Sequence, residues 1–268
     1  MSDRIELPVT GAPFGASPSF VDLLRRERPE ALPVALTASQ TEALRIPHGT
    51  TVLGLKYAGG IVVAGDRRAT AGNQIADPKM RKVFAADDHS AIAIAGAAGQ
   101  AVEIVKLFQL ELEHYEKITG DRLSLEGKAN RLAQMIRANF PMALQGLIVV
   151  PIFGGFDLRR NEGRIFFYDA TGGRWEEDDF QTTGSGGQPA KSSLKKRWKA
   201  GLSEDEALRV AVEALIDAAE DDAATGGPDA VRGIWPIVMT VTATGAGDVD
   251  EARISMAVEA VSAERGAR

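Results

Sequence analysis

The chain has no cysteine among its 268 residues, which excludes disulfides, thiol nucleophiles and thiolate metal sites and fits a reducing cytoplasm. Basic charge is in deficit: 31 Lys and Arg stand against 37 Asp and Glu, a net charge of −6. A general affinity for nucleic acid or for anionic membrane needs the opposite surplus, so neither is expected as a partner. The basic run "KSSLKKRWK" is short and reads as a solvated helix face. Long apolar runs are missing too: "LIVVPIF" falls far short of a membrane span, and "MSDRIELPVTGAPFG" lacks the basic and apolar regions of a secretion signal. A soluble, unexported, cytoplasmic protein is expected.

Several catalytic solutions are poorly supplied. The three histidines, His48, His89 and His114, show no paired metal-ligand spacing, so neither a zinc site nor any other cofactor is expected. No GxSxG elbow is present for a serine triad. "GSGG" at 184–187 and "ATGG" at 224–227 lack the lysine of a phosphate loop and read as turns.

What is present falls into two parts. Residues 1–49 hold six of the twelve prolines and only two aromatics, Phe14 and Phe20, too little periodic surface to build a domain. Within this leader "SFVDLLRRERPEAL" predicts a turn or two of helix, capped by Ser19 and stopped by Pro29. From Thr50 the texture changes. "TTVLGLKY" and "GIVVAGDRRAT" around Gly59 and Gly60 predict a β-hairpin, and "KVFAADDHSAIAIAG" predicts two more strands. Val102, Val105, Phe108, Leu112 and Tyr115, then Leu132, Met135 and Ile136, lie at helical spacing and predict two successive helices. "LIVVPIFGGFD" and "GRIFFYDATGG" read as strands. In "SEDEALRVAVEALIDAAEDDAATGG" a capping box of Ser203 and Glu206 opens a helix with a stripe of Leu208, Ala211, Val212 and Leu215, and Gly226 is its expected stop. A strand in "IWPIVMTVTATG" and a helix in "EARISMAVEAV" end the chain. The order predicts an α+β fold of two sheets covered by helices on both outer faces.

The junction between Gly49 and Thr50 is where the two textures meet. A threonine hydroxyl is a weak nucleophile that needs an adjacent base, and a threonine that begins a chain carries one in its α-amine. That amine has a pKa of roughly 7.7 to 8, so part of it is unprotonated near neutral pH. A removable leader ending in glycine would make Thr50 a chain end; an ordinary Gly-Thr strand start is the plainer alternative. Asp66 and Lys82, by default a turn acid and a surface lysine, would bias the protonation of such an amine if they lay near it.

The ordered motifs "GTTVLGLKYAGGIVVAGDRRAT", "RKVF", "IAIAGAAG", "TTGSGG" and "DDAATGGPD" resemble those of proteasome β-type subunits of the actinobacterial kind. The resemblance runs from Thr50 to about residue 265. It implies the four-layer αββα sandwich of N-terminal nucleophile hydrolases, with residues 1–49 an autocatalytically removed propeptide, cleaved between Gly49 and Thr50, and 50–268 one catalytic domain. It implies Thr50 as nucleophile of a threonine endopeptidase, Asp66 and Lys82 as its support, and Ser185, Asp222 and Thr225 as residues fixing the amine and Lys82. Gly96 would offer the oxyanion N–H, Thr70 and Ala98 would pair with an extended substrate, and Ala69, Ile94 and Ala98 would line an apolar pocket. Thr225 stands where many relatives have serine, with the hydroxyl kept.

The same resemblance implies partners: further β subunits in two stacked heptameric rings, flanking α subunits, an ATPase unfoldase ring, and unfolded or tagged protein substrates. Rival readings are a simpler bacterial two-ring threonine peptidase, an amidohydrolase acting on small amides, and a non-catalytic ring subunit.

Overall fold

The strands that surround the Gly49–Thr50 junction are apolar on both faces, and the reason is visible in their packing. The computed structural model describes residues 49–72 and 74–266; the leader helix expected from Ser19 lies outside them. The hairpin is formed by β1 (Thr51–Tyr57) and β2 (Gly60–Gly65). Along it, Leu53, Leu55, Val62 and Ala64 point to one core, while Val52, Ile61 and Val63 point to another. That period of two, apolar in both directions, belongs to a sheet covered on both faces.

Two five-stranded antiparallel sheets result. The first has the order β10 (Phe180–Gly184), β1, β2, β11 (Ile237–Thr242), β12 (Gly245–Asp248). The second runs β5 (Val83–Asp87), β6 (Ser90–Gly96), β7 (Val149–Asp157), β8 (Glu162–Tyr168), β9 (Arg174–Glu177). Ala91, Ala93, Ile152 and Ile165 of the second sheet meet Val52, Ile61 and Val63 of the first in a core between the sheets. Helices cover the outer faces. Phe108, Leu132 and Ile136 of α1 (Ala98–Thr119) and α2 (Leu125–Ala138) pack on Ile92, Phe153 and Phe166. On the other side Leu194, Leu208, Ala211, Val212, Leu215 and Ile254 pack on Leu53, Leu55 and Val62; they come from α4 (Gly187–Arg197), α5 (Glu204–Asp221) and α6 (Glu251–Gly266). A single turn, α3 (Phe140–Ala143), follows α2. The layering is the four-layer αββα sandwich that the resemblance implied. None of the described helices is long and apolar enough to cross a membrane.

Four expectations need correction. The second arm of the hairpin stops at Gly65, and Ala69–Ala71 joins a separate two-stranded sheet, β3, with β4 (Gln74–Asp77). The apolar stripe read along α1 ends at Leu112: Tyr115 lies in the helix but is 41 % exposed, and all the residues from 113 to its end are exposed. Helix α5 does carry its Ser203–Glu206 capping box, but it ends at Asp221 rather than at Gly226, since Asp222 turns into an extended conformation. The strands β9, β10 and β12, short and partly polar, are additional to those expected from the sequence.

Candidate active site

Strand register brings the site together. Thr51 lies opposite Gly184 in β10 and Val52 opposite Gly65 in β2, so Ser185 and Asp66, the next residues along, flank the start of β1. Lys82 immediately precedes β5, and its carbonyl accepts from Ile94 N–H of β6 at 2.9 Å. Asp222 and Thr225 arrive from the loop that follows α5.

Asp66 is fully buried and its carboxylate is saturated. One oxygen, Oδ1, accepts from Lys82 Nζ at 2.7 Å and from Thr51 N–H at 2.9 Å. The other, Oδ2, accepts from the N–H groups of Arg68 at 2.8 Å and Gly226 at 2.9 Å. The three backbone donors and the ammonium compensate a carboxylate that has no solvent. Lys82 is 1 % exposed and donates also to Arg68 O at 2.5 Å and Gly49 O at 3.3 Å. Burial pushes its ammonium below the usual lysine range, although the Asp66 charge and hydrogen bond oppose that shift.

The second cluster is built from hydroxyls. Thr50 N–H donates to Ser185 Oγ at 3.3 Å, Ser185 Oγ donates to Asp222 Oδ2 at 2.5 Å, and Thr225 Oγ1 donates to the same oxygen at 2.6 Å. Burial would raise the Asp222 carboxyl, but hydrogen bonds from Ser185, Thr225 and Ala224 N–H, with the Lys82 charge, hold it below the usual carboxylate range. An acid at the C-terminal end of a helix opposes the helix dipole, and α5 has no basic residue in its last turn. The hydroxyl partners offset that local conflict.

Thr50 is 5 % exposed, and its hydroxyl donates to the carbonyl of Gly49 at 2.6 Å. Only glycine fits before it, since a Cβ on residue 49 would stand 2.4 Å from Ala224 Cβ and 2.5 Å from Ala224 O. Gly49 and Thr50 line a small pocket of about 50 Å³ with Ala69, Thr70, Ile94, Gly96 and Ala98. Gly96, in that lining, has φ +117°, and a Cβ there would lie 2.0 Å from Ile148 O, so only glycine suits the position. The Thr70 hydroxyl is buried without a hydrogen-bond partner.

All the residues expected from the sequence therefore gather around Thr50, with one change in their connections. Ser185, Asp222 and Thr225 hydrogen-bond one another and the start of β1, whereas Lys82 is held by Asp66, Arg68 O and Gly49 O. Ile94 belongs to the core under α1 and α2 and also lines the pocket. Met80, Lys82 and Ala101 complete that lining, and the N–H groups of Gly226 and Arg68 complete the shell of Asp66; sequence reasoning gave Met80, Ala101, Gly226 and Arg68 no part in the site. Arg68 and Gly226 lie inside the motifs that carry the resemblance, and Met80 is apolar beside "RKVF"; Ala101 gave no signal.

A family model described as "Proteasome subunit" matches residues 46–232. A "Proteasome subunit beta" of Acidimicrobium ferrooxidans is 51 % identical over 268 residues, covering 99 % of this chain and 97 % of its own. One of Streptomyces griseus is 56 % identical, covering 85 % and 82 %, and one of Jonesia denitrificans is 52 % identical, covering 92 % and 82 %. With that match spanning most of its length, the chain belongs to the proteasome subunit family, among the β subunits of the actinobacterial kind.

Proposed function

We propose that this β subunit is a threonine-type endopeptidase whose nucleophile is Thr50, exposed as a chain end when residues 1–49 cleave themselves off. As a proteasome β subunit it is part of a protease and assembles with other subunits; the catalytic residue, the leader's removal and the identities of the partners are the proposal. The observation that carries it is the Thr50 hydroxyl, held 2.6 Å from the oxygen of the preceding carbonyl while Lys82 Nζ reaches that same oxygen at 3.3 Å.

The chemistry is an acyl shift followed by hydrolysis. Thr50 Oγ1 attacks the carbonyl carbon of Gly49, the Gly49–Thr50 amide bond breaks, and its nitrogen takes up the proton as it leaves. Water then cleaves the resulting ester, releasing the Gly49 carboxylate and restoring the hydroxyl beside a free amine. In turnover the amine accepts the hydroxyl proton, Oγ1 attacks a substrate peptide, and Ser185, Asp222 and Thr225 orient the amine. Lys82, paired with Asp66, supports the nucleophile. The Gly96 N–H is assigned to the oxyanion, an interaction whose loss typically costs about 2.7 to 4 kcal/mol. Extended substrate would pair with Thr70 and Ala98, and the lining of Ala69, Met80, Ile94, Ala98 and Ala101 suits a small or medium apolar side chain before the cut.

Unfolded proteins are the proposed substrates, inside a chamber of two stacked heptameric β rings flanked by α subunits and served by an ATPase ring, in the cytoplasm. The test is the intact mass and peptidase activity of the chain co-expressed with its α partner, beside Thr50→Ala. The expected result is a wild-type mass starting at Thr50 with activity, and a Thr50→Ala chain that keeps residues 1–49 and is inactive. Wild-type particles that retain the leader, or an active Thr50→Ala particle, would instead favour a structural ring subunit.

A further inference from the structure

The Thr51 hydroxyl is fully buried and lies 2.6 Å from Thr225 Oγ1. Thr225 has one proton, and it is committed to Asp222 Oδ2 at 2.6 Å. An ionised carboxylate only accepts, and Asp222 is held below the usual carboxylate range by its burial-opposing hydrogen bonds. The donor between the two threonines must therefore be Thr51. A directed chain follows: Thr51 O–H to Thr225, Thr225 O–H to Asp222, and Asp222 accepting from Ser185, which accepts from Thr50 N–H. The backbone of Thr51 meanwhile donates to Asp66 Oδ1, the oxygen that also holds Lys82. One residue thus touches both carboxylate clusters, and a Cβ on Gly186 would stand 2.3 Å from its hydroxyl and 2.8 Å from that of Thr225, so only glycine there leaves room for the two hydroxyls to meet.

We propose that Thr51 is a positioning residue for the reaction: by donating to Thr225 its hydroxyl holds Thr225, and through it Asp222 and Ser185, in place, and so sets the orientation and basicity of the Thr50 amine. The inference rests on Thr50 being the nucleophile. It distinguishes Thr51 from an ordinary strand threonine, for which valine would serve as well or better.

The experiment compares Thr51→Val, Thr51→Ser, Thr225→Val and Thr50→Ala, each in the full chain co-expressed with its partner subunits, with rates normalised to the fraction of chains starting at Thr50 by intact mass. For Thr51→Val, kcat on a fluorogenic peptide with an apolar residue before the cut should fall about two- to tenfold, the equivalent of one ordinary hydrogen bond, with KM unchanged. The limb of the kcat/KM pH profile that reports the amine should move, Thr225→Val should move it the same way, and Thr51→Ser should restore rate and limb together. Retention of the leader by Thr51→Val but not by Thr51→Ser supports the proposal equally. Wild-type kcat and pH profile in Thr51→Val overturn it, as does a lower active fraction with an unmoved limb that serine does not rescue. Should Thr51→Val fail to assemble, an unmoved limb in Thr225→Val overturns it. A fully active Thr50→Ala removes the threonine reading itself, an outcome that the Thr51 variants do not produce.

Discussion

Two carboxylates flank the start of β1, and they are satisfied in opposite ways. Asp66 is sealed in the interior against a buried ammonium, with backbone N–H groups filling its remaining acceptor positions. Asp222 sits at a helix end, part exposed, and is met by side-chain hydroxyls and one local N–H. The first arrangement is rigid and intolerant, because removing either partner leaves a charge without solvent. The second is adjustable: hydroxyls rotate, and serine and threonine can replace each other without altering charge. The Asp66 side holds a fixed electrostatic environment, and the Asp222 side sets the direction of movable protons.

The sharpest way to break this comparison is to truncate each acid. Asp66→Ala strands Lys82 as a buried unpaired charge and should cost about 3–5 kcal/mol, or a melting temperature lower by roughly 6–20 °C for a chain of this size. Asp222→Ala should cost only about 1–3 kcal/mol, the penalty of unsatisfied hydroxyl groups. Thermal unfolding of the two variants reads the difference, and coincident melting curves would erase the distinction. Ser185→Ala is milder, removing the acceptor of Thr50 N–H and one donor to Asp222; a loss of about 0.5–1.5 kcal/mol in denaturant unfolding is expected, with a several-fold lower peptidase rate.

The smallest effect lies in pH, and its sign is the same at both ends of the scale. Asp222 has a folded pKa below its ordinary 3.8, so its contribution is complete above that value and is lost as pH falls through the depressed folded pKa. Lys82 has a folded pKa below its ordinary 10.5, so the unfolded chain binds more protons between the two values and stability from this group rises with pH across that alkaline window. Unfolding midpoints of wild type against Lys82→Met should diverge there, and midpoints against Asp222→Asn should diverge only in acid.

Which of these features could be read in the sequence follows from how local their causes are. The β1–β2 hairpin and α5 were legible because alternation and a capping box lie within a few residues of one another. The β3–β4 pair was not, since Gln74–Asp77 is exposed throughout and carries no buried stripe. The end of α5 was misjudged because Asp222 leaves the helix to meet Ser185 and Thr225, a tertiary demand that outweighs the glycine signal at 226. In the site, Thr50 and its glycine stood out as chemistry. Ser185 could be linked to Thr50 only through the family's motifs, because the contact spans 135 positions. Thr51 escaped notice for the same reason: its importance arises from its register against Gly184 and the loop beyond it.

The carbonyl of Gly49 has a consequence for how the site would come to life. It accepts both from the Thr50 hydroxyl and from one of three Lys82 N–H bonds, the other two being taken by Asp66 and Arg68 O. Were the leader to depart as proposed, nucleophile and lysine would lose their shared acceptor in the same event, and each would be left beside the other. On that proposal the leader's last residue would be the enzyme's first substrate, occupying the place that every later one would have to imitate.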